Sequence, residues 1–286
     1  MNLVLLTEGT GQGVHGRKTN VSRVYDLLVE GKNQRINLEA GPGTRAFRHL
    51  GGTFFGTDAM SIVNHHQNWF LNHAPHRTGD GMPTDDIKVF LFGFSRGALI
   101  MRVFAEWLCQ RGFPVEYMGL WDTVDSTVGI KGEDYVTLPT NVKFARHAVA
   151  RDEQRRFFGY LPLKDVGEDF RRETEDARMV EELVFPGSHS DVGGLYEDNH
   201  AIADVTLDWI LEPAIERGLK IVPSRSPRLA LSSREFVTAP VAEDRDGTVK
   251  YLIHDSLKEP TNAWGALDPV KRDLGGVKRH HLCDII

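Results

Sequence analysis

A serine stands between two glycines in Gly93-Phe94-Ser95-Arg96-Gly97, where the apolar run Val89–Phe92 gives way to a helical pattern. Leu99, Ile100, Val103, Phe104, Trp107 and Leu108 mark the apolar face of that helix. The spacing fits a sharp elbow that exposes the serine hydroxyl. Its glycines remove Cβ atoms that would collide there. A backbone held in such a conformation costs roughly 1–3 kcal/mol and persists where function requires it. G-x-S-x-G also arises by chance, so the weight lies in the order strand, elbow, helix. Ser95 is the candidate nucleophile, against a phosphate-cradling or purely structural turn.

A serine nucleophile needs a base within hydrogen-bond reach and a third group that holds the base. Asp122 follows the apolar run of "GLWDTVDS", and His189 follows the next one in "VFPGSHSDVGG", a loop tightened by Gly187, Gly193 and Gly194. Loops at the carboxyl ends of parallel strands face the ligand crevice. The chain order Ser, Asp, His is that of α/β-hydrolases. Alternatives stay open for both partners. Asp122 can instead cap a turn, with Asp191 as the acid. His254, after "VKYLI", is a second candidate for base or pocket, and His147 sits in what reads as a helical pattern with a packing role. Oxyanion donors are expected from the Arg96 N–H and from Gly9 and Thr10 in the early loop "TEGTGQG".

The elements that must carry these groups alternate. A strand at Asn2–Leu6 precedes a helix in "TNVSRVYDLLVEG" that is expected to stop at Gly31. Further strands are expected at "QRINLEAG", Lys88–Phe92, "EYMGLWDTV" and "VEELVFPG", and further helices at Thr57–His73 and Ala201–Arg217. This predicts a mostly parallel sheet covered by helices on both faces. Arg151–Arg178 carries 15 charged residues in 28 and reads as a solvated excursion, with a cap over the catalytic face as the sharper alternative. The expected organisation is one α/β-hydrolase domain over 1–286, with 125–180 as a candidate cap insertion.

Competing chemistries fit less well. Gly11-Gln12-Gly13-Val14-His15-Gly16 matches G-x-G-x-x-G, with Glu39 ending a second strand. Yet Gly11 lies five residues past Leu6, and "RKTN" after Gly16 looks like a fresh helix cap. The adjacent pairs His65-His66 and His280-His281 lack metal-ligand spacing, and there is no H-E-x-x-H motif, so no metal and no cofactor are expected. A net charge of −6 without a basic stripe argues against nucleic acid. No apolar run approaches the length of a membrane span and the opening residues do not read as a signal peptide, so the default is cytoplasmic, without stable membrane insertion. A cargo of a dedicated secretion machine would read the same.

Several stretches in order, "LVLLTEGTGQG" with "TNVSRV", "FLFGFSRGA", "GLWDTV", "ARHAVARDEQRRF", "FPGSHSDVGGLY" and "IADVTLDWILEPA", resemble the DUF2235 family over about residues 1–220. This α/β-hydrolase module is also the catalytic domain of Tle1-type phospholipase effectors of type VI secretion. The resemblance implies Ser95 as nucleophile, Asp122 as acid and His189 as base. The family usually reads Asp-Gly-Thr where this chain has Glu8-Gly9-Thr10. The expected activity is hydrolysis of a small-molecule or lipid carboxylic ester through an acyl-enzyme. At 286 residues a compact esterase is favoured over a large membrane-acting phospholipase. The reading outside enzymes is a nucleotide-binding or scaffold protein that kept only the fold.

Overall fold

The first strand, "NLVLLT", is buried along its whole length, as an interior parallel strand must be. The computed structural model describes residues 1–13, 19–43, 57–74, 87–124, 130–156, 158–164 and 179–222, with 242–243, 249–250, 253, 274 and 278–279. Its strands are β1 (Asn2–Thr7), β2 (Gln34–Glu39), β3 (Lys88–Phe94), β4 (Tyr117–Trp121), β5 (Phe144–Ala150), β6 (Met179–Phe185), β7 (Ala242–Glu243), β8 (Val249–Lys250) and β9 (Lys278–Arg279). The main sheet runs in the order β2-β1-β3-β4-β5-β6-β9, and every neighbouring pair is parallel. Helices are α1 (Asn20–Leu27), α2 (Thr57–His73), α3 (Arg96–Cys109), α4 (His189–Gly193) and α5 (Ala201–Glu216).

Alternation along the strands divides the core into two layers. Leu3, Leu5, Val89 and Leu91 pack with Ile62, Phe70, Leu99 and Phe104 of α2 and α3. Val4, Leu6, Phe90 and Phe92 face the other way, against Val21, Val24, Val205 and Ile210 of α1 and α5. Strand order reverses between β1 and β3, which opens a crevice at their carboxyl ends. Ser95 sits at that point.

Helix α1 stops short of Gly31. Leu28 turns extended and bridges Ile221, while the Val29 N–H donates to the Lys220 carbonyl. A larger correction concerns "ARHAVA", which reads as helix but forms the interior strand β5. Arg146 and His147 hide its apolar character. Each faces its cross-strand partner on β6, Glu181 and Glu182, so both polar side chains are satisfied within the sheet.

Part of the span 125–180 is therefore sheet rather than cap. Leu138, Leu161 and Leu163, on either side of β5, join the core layer of α2 and α3, and Leu138 donates to the Lys164 carbonyl. Residues 165–178 of the expected cap lie outside the described residues.

Helix α3 packs onto the end of β1 at van der Waals limit. A Cβ at Gly97 would lie 2.4 Å from the carbonyl oxygens of both Thr7 and Glu8, which are backbone and cannot swing aside. Gly97→Ala is therefore expected to lower stability by roughly 1–3 kcal/mol or more. Gly31→Ala, where nothing lies within 4 Å of the added carbon, should change it by less than about 0.5 kcal/mol. Denaturant midpoints of the two variants check this. Equal midpoints would contradict the packing account.

Candidate active site

Ser95 occupies φ 59° and ψ −127°, a region that side chains other than glycine rarely adopt. Three contacts enforce it. The Ser95 N–H donates to the Trp121 carbonyl at 2.9 Å, which ties the elbow to the end of β4. The Ser95 carbonyl accepts from the Ala98 N–H at 3.1 Å and so opens α3. A Cβ at Gly93 would lie 2.6 Å from the Ala98 Cα, so the turn closes only with glycine there. The expected elbow is present with its strain.

Asp122 and His189 come together from sequence positions 67 residues apart. His189 Nδ1 lies 2.6 Å from Asp122 Oδ2, and both residues are buried. Asp122 takes φ 39° at the end of β4. Its N–H donates to the Ala148 carbonyl at 2.7 Å, and its Oδ1 accepts the Ala150 N–H at 2.9 Å. Strand β5 therefore holds the carboxylate from two sides. With the charged carboxylate accepting at Nδ1, the neutral imidazole carries its proton there and presents Nε2 as the basic nitrogen.

His189 opens the short helix α4, and the ring of Phe94 stacks on it with centroids 4.5 Å apart. Phe94 immediately precedes Ser95, so His189 and the elbow share one side chain. A Cβ at Gly193 would lie 2.1 Å from that same ring, so glycine lets α4 close over Phe94. The imidazole also meets Phe158 edge to face at 4.9 Å. Burial lowers the pKa of His189 from its ordinary value of 6.5, while the hydrogen bond and charge of Asp122 act in the opposite direction. The ring is neutral at neutral pH.

Sequence reasoning missed a second support for His189. Glu153, buried, accepts the His189 N–H at 3.2 Å and pairs with buried Arg155 at 2.8 Å. The Arg155 guanidinium lies 3.6 Å from the centroid of Phe158. These residues belong to the charged run read as a solvated excursion. The spacing Glu-x-Arg beside two aromatics was the available signal.

The early glycine loop lies beside Ser95, since a Cβ at Gly9 would fall 3.5 Å from the Ser95 Cβ. Glu8 is buried and accepts the Thr19 hydroxyl at 2.6 Å, which ties the loop to the cap of α1. Burial raises its pKa to about 7, against the lowering effect of hydrogen bonds from Thr19, Ser22 and Gly9. Thr10 follows in the loop, and Arg96 opens α3 with a guanidinium that burial lowers to about 10, still a cation at neutral pH.

Asp191 serves α4 itself. Its Oδ2 accepts from the N–H and the hydroxyl of Ser188, at 2.8 and 3.0 Å. His147 lies within β5, in register with Glu182 of β6, and His254 lies outside the described residues. Among the described residues no group of His, Cys, Asp and Glu could hold a metal ion. Asp191→Ala is expected to cost about 1 kcal/mol of stability through the lost cap, with turnover per folded molecule nearly unchanged. Asp122→Asn should do the reverse, lowering turnover by about 10⁴ with a much smaller loss of stability. Denaturation midpoints beside ester turnover separate the two. The opposite pattern would move the acid to Asp191.

The chain matches the family model described as "T6SS, Phospholipase effector Tle1-like, catalytic domain" over residues 1–113 and 106–213. Among solved structures it resembles an uncharacterized protein from Pseudomonas aeruginosa, at TM-score 0.54 and 18% identity, covering 80% of this chain and 48% of that one. It is also similar to the Tle1 effector bound to the VgrG spike of the type 6 secretion system, at TM-score 0.46 and 18% identity, covering 69% and 52%. A putative hydrolase of the alpha/beta superfamily from Xanthomonas campestris follows at TM-score 0.38 and 12% identity, covering 74% and 99%. No curated protein matches the chain. It spans about half the length of the first two structures. The parallel sheet with its strand–elbow–helix is an α/β-hydrolase fold, and the match across residues 1–213 shows that the chain belongs to the Tle1-like phospholipase effector catalytic-domain family.

Proposed function

We propose that this domain hydrolyses carboxylic esters through an acyl-enzyme on Ser95. The observation that carries the reading is the buried Asp122–His189 pair, stacked through Phe94 on a strained serine elbow. In the first half-reaction His189 Nε2 takes the Ser95 proton as the hydroxyl oxygen attacks the ester carbonyl. Asp122 holds the imidazole in the required tautomer and stabilises the imidazolium. The tetrahedral oxyanion is held by backbone N–H groups of Arg96 and Thr10, with Gly9 shaping the loop. Collapse breaks the ester C–O bond, and the imidazolium gives its proton to the departing alcohol. Water then attacks the acyl group with the same base, which releases the acid and restores Ser95.

A second reading names the ester as a glycerophospholipid. The match to a phospholipase effector family over residues 1–213 favours it. As a member of an effector family the domain is then proposed to act after export rather than in the cytosol that produced it. Among the described residues no helix is long and apolar enough to cross a membrane, so lipid would be reached from a surface.

A fluorophosphonate probe tests the nucleophile. Wild-type protein is expected to label on the peptide containing Ser95, and Ser95→Ala is expected neither to label nor to turn over esters. A panel of dissolved short-chain esters and phosphatidylcholine vesicles then separates the two substrates, because both require Ser95. The rate should rise with pH along an acid limb whose midpoint lies below 6.5, since the base must be neutral and burial lowers its pKa. Ser95→Ala retaining a tenth of wild-type turnover would overturn the assignment, as would a limb centred well above 6.5.

A further inference from the structure

A second histidine–carboxylate pair, its histidine fully buried and its carboxylate partly so, lies behind the proposed acid. His147 on β5 and Glu182 on β6 are cross-strand partners in the parallel ladder. His147 Nδ1 lies 2.7 Å from Glu182 Oε2, and the imidazole is fully buried. On its other edge, Nε2 accepts the backbone N–H of Thr123 at 3.0 Å and lies 3.1 Å from the Thr123 hydroxyl. Thr123 is the residue after Asp122.

The network leaves one protonation state. A backbone N–H can only donate, so Nε2 carries no proton and Nδ1–H donates to Glu182. Burial lowers the His147 pKa, against the opposing influence of Glu182, which keeps the ring neutral. Burial raises the Glu182 pKa, but hydrogen bonds and charge at His147 together with Tyr160 and the Leu163 N–H outweigh it, and the carboxyl stays ionised. Three more donors fix Glu182 and Thr123. The Tyr160 hydroxyl and the Leu163 N–H donate to Glu182. Arg102 of α3, also buried, donates to the Thr123 hydroxyl at 2.9 Å and to the Leu161 carbonyl at 3.0 Å.

Ladder hydrogen bonds end at Asp122, whose own N–H still reaches the Ala148 carbonyl. At Thr123 a side-chain nitrogen takes the place that a strand carbonyl would fill. The chain there departs from the strand with Asp122 at φ 39°, and the Thr123 carbonyl accepts the Leu161 N–H at 3.0 Å. We infer that His147, held by Glu182, is a positioning residue for Asp122: it fixes the turn that aims the carboxylate at His189. The inference rests on the proposed triad for its catalytic consequence but not for its geometric one.

The test uses His147→Leu and His147→Gln in the full chain. Gln can place an acceptor near the Nε2 position, whereas Leu cannot. Misplacing a reactive group by about 1 Å costs about a hundredfold, so His147→Leu is expected to lower kcat by that order with KM within about twofold. His147→Gln should recover most of the loss. Active-site titration with fluorophosphonate counts competent molecules, so a drop caused by unfolded protein is corrected out. The acid limb of kcat/KM should also move to lower pH in His147→Leu, because His189 loses part of the Asp122 contribution that raises its pKa, while Arg155 and Glu153 beside it are unchanged.

A proton NMR spectrum supplies the readout independent of catalysis. The His189 Nδ1–H bound to Asp122 is expected far downfield in wild type, and shifted or exchange-broadened in His147→Leu. A folded His147→Leu with an unmoved downfield resonance and unmoved limb would overturn the inference, as would equal damage from Leu and Gln. A wild type that neither labels nor hydrolyses esters, yet loses the resonance in His147→Leu, would reject the proposed activity and keep the positioning role.

Discussion

The contact between α3 and the carboxyl end of β1 is the constraint on which the site depends. Because residue 97 has no Cβ, the helix backbone comes down onto the Thr7 and Glu8 carbonyls. That approach sets the distance between the elbow and the glycine loop, and with it the space in which an oxyanion would form. Strain at Ser95 survives because the surrounding sheet over-determines it. The elbow is tied to β4 by one backbone hydrogen bond, and β1 and β3 beneath it are buried along their shared register from Leu3 and Val89 onward.

Around that contact the site is built largely from paired polar groups, while Glu8 Oε1 and Thr10 Oγ1 in the glycine loop are buried without a hydrogen-bond partner among the described residues. Asp122 meets His189 and the Ala150 N–H, Glu153 meets Arg155, and Glu182 meets His147. Buried carboxylates are costly unless hydrogen-bonded, and here each is anchored by donors from more than one element. This makes the crevice stiff. Removing one partner leaves a charge in low dielectric, so a change that strips an ionised group of its donor is expected to cost stability.

The strands and helices nearest the elbow were legible because apolar periodicity and glycine spacing speak directly about local backbone. Helix α2 falls at the expected Thr57–His73, and β3 runs into α3 across Ser95 as the pattern requires. The pairing of Asp122 with His189 was legible only through their positions after consecutive apolar runs, since 67 residues separate them. Strand β5 was not. Its central Arg146 and His147 look solvated in one dimension, and only their registered acids on β6 reveal them as paired within the sheet. Glu153 and Arg155, two residues apart in one loop, also read as surface charge, although each is nearly inaccessible. Local pattern reports the chain's own backbone, whereas charge pairing across strands is a property of the assembled sheet.

The central claim is that Ser95 carries the acyl group between two half-reactions. Rapid quench of the wild-type domain during turnover of an activated, slowly deacylated ester, followed by intact-mass and peptide mass spectrometry, examines that intermediate itself. The account predicts an adduct equal in mass to the acyl group, located on Ser95, which forms and decays at rates compatible with turnover. Hydrolysis proceeding at full rate with no adduct, or with the acyl group on another residue, would contradict it.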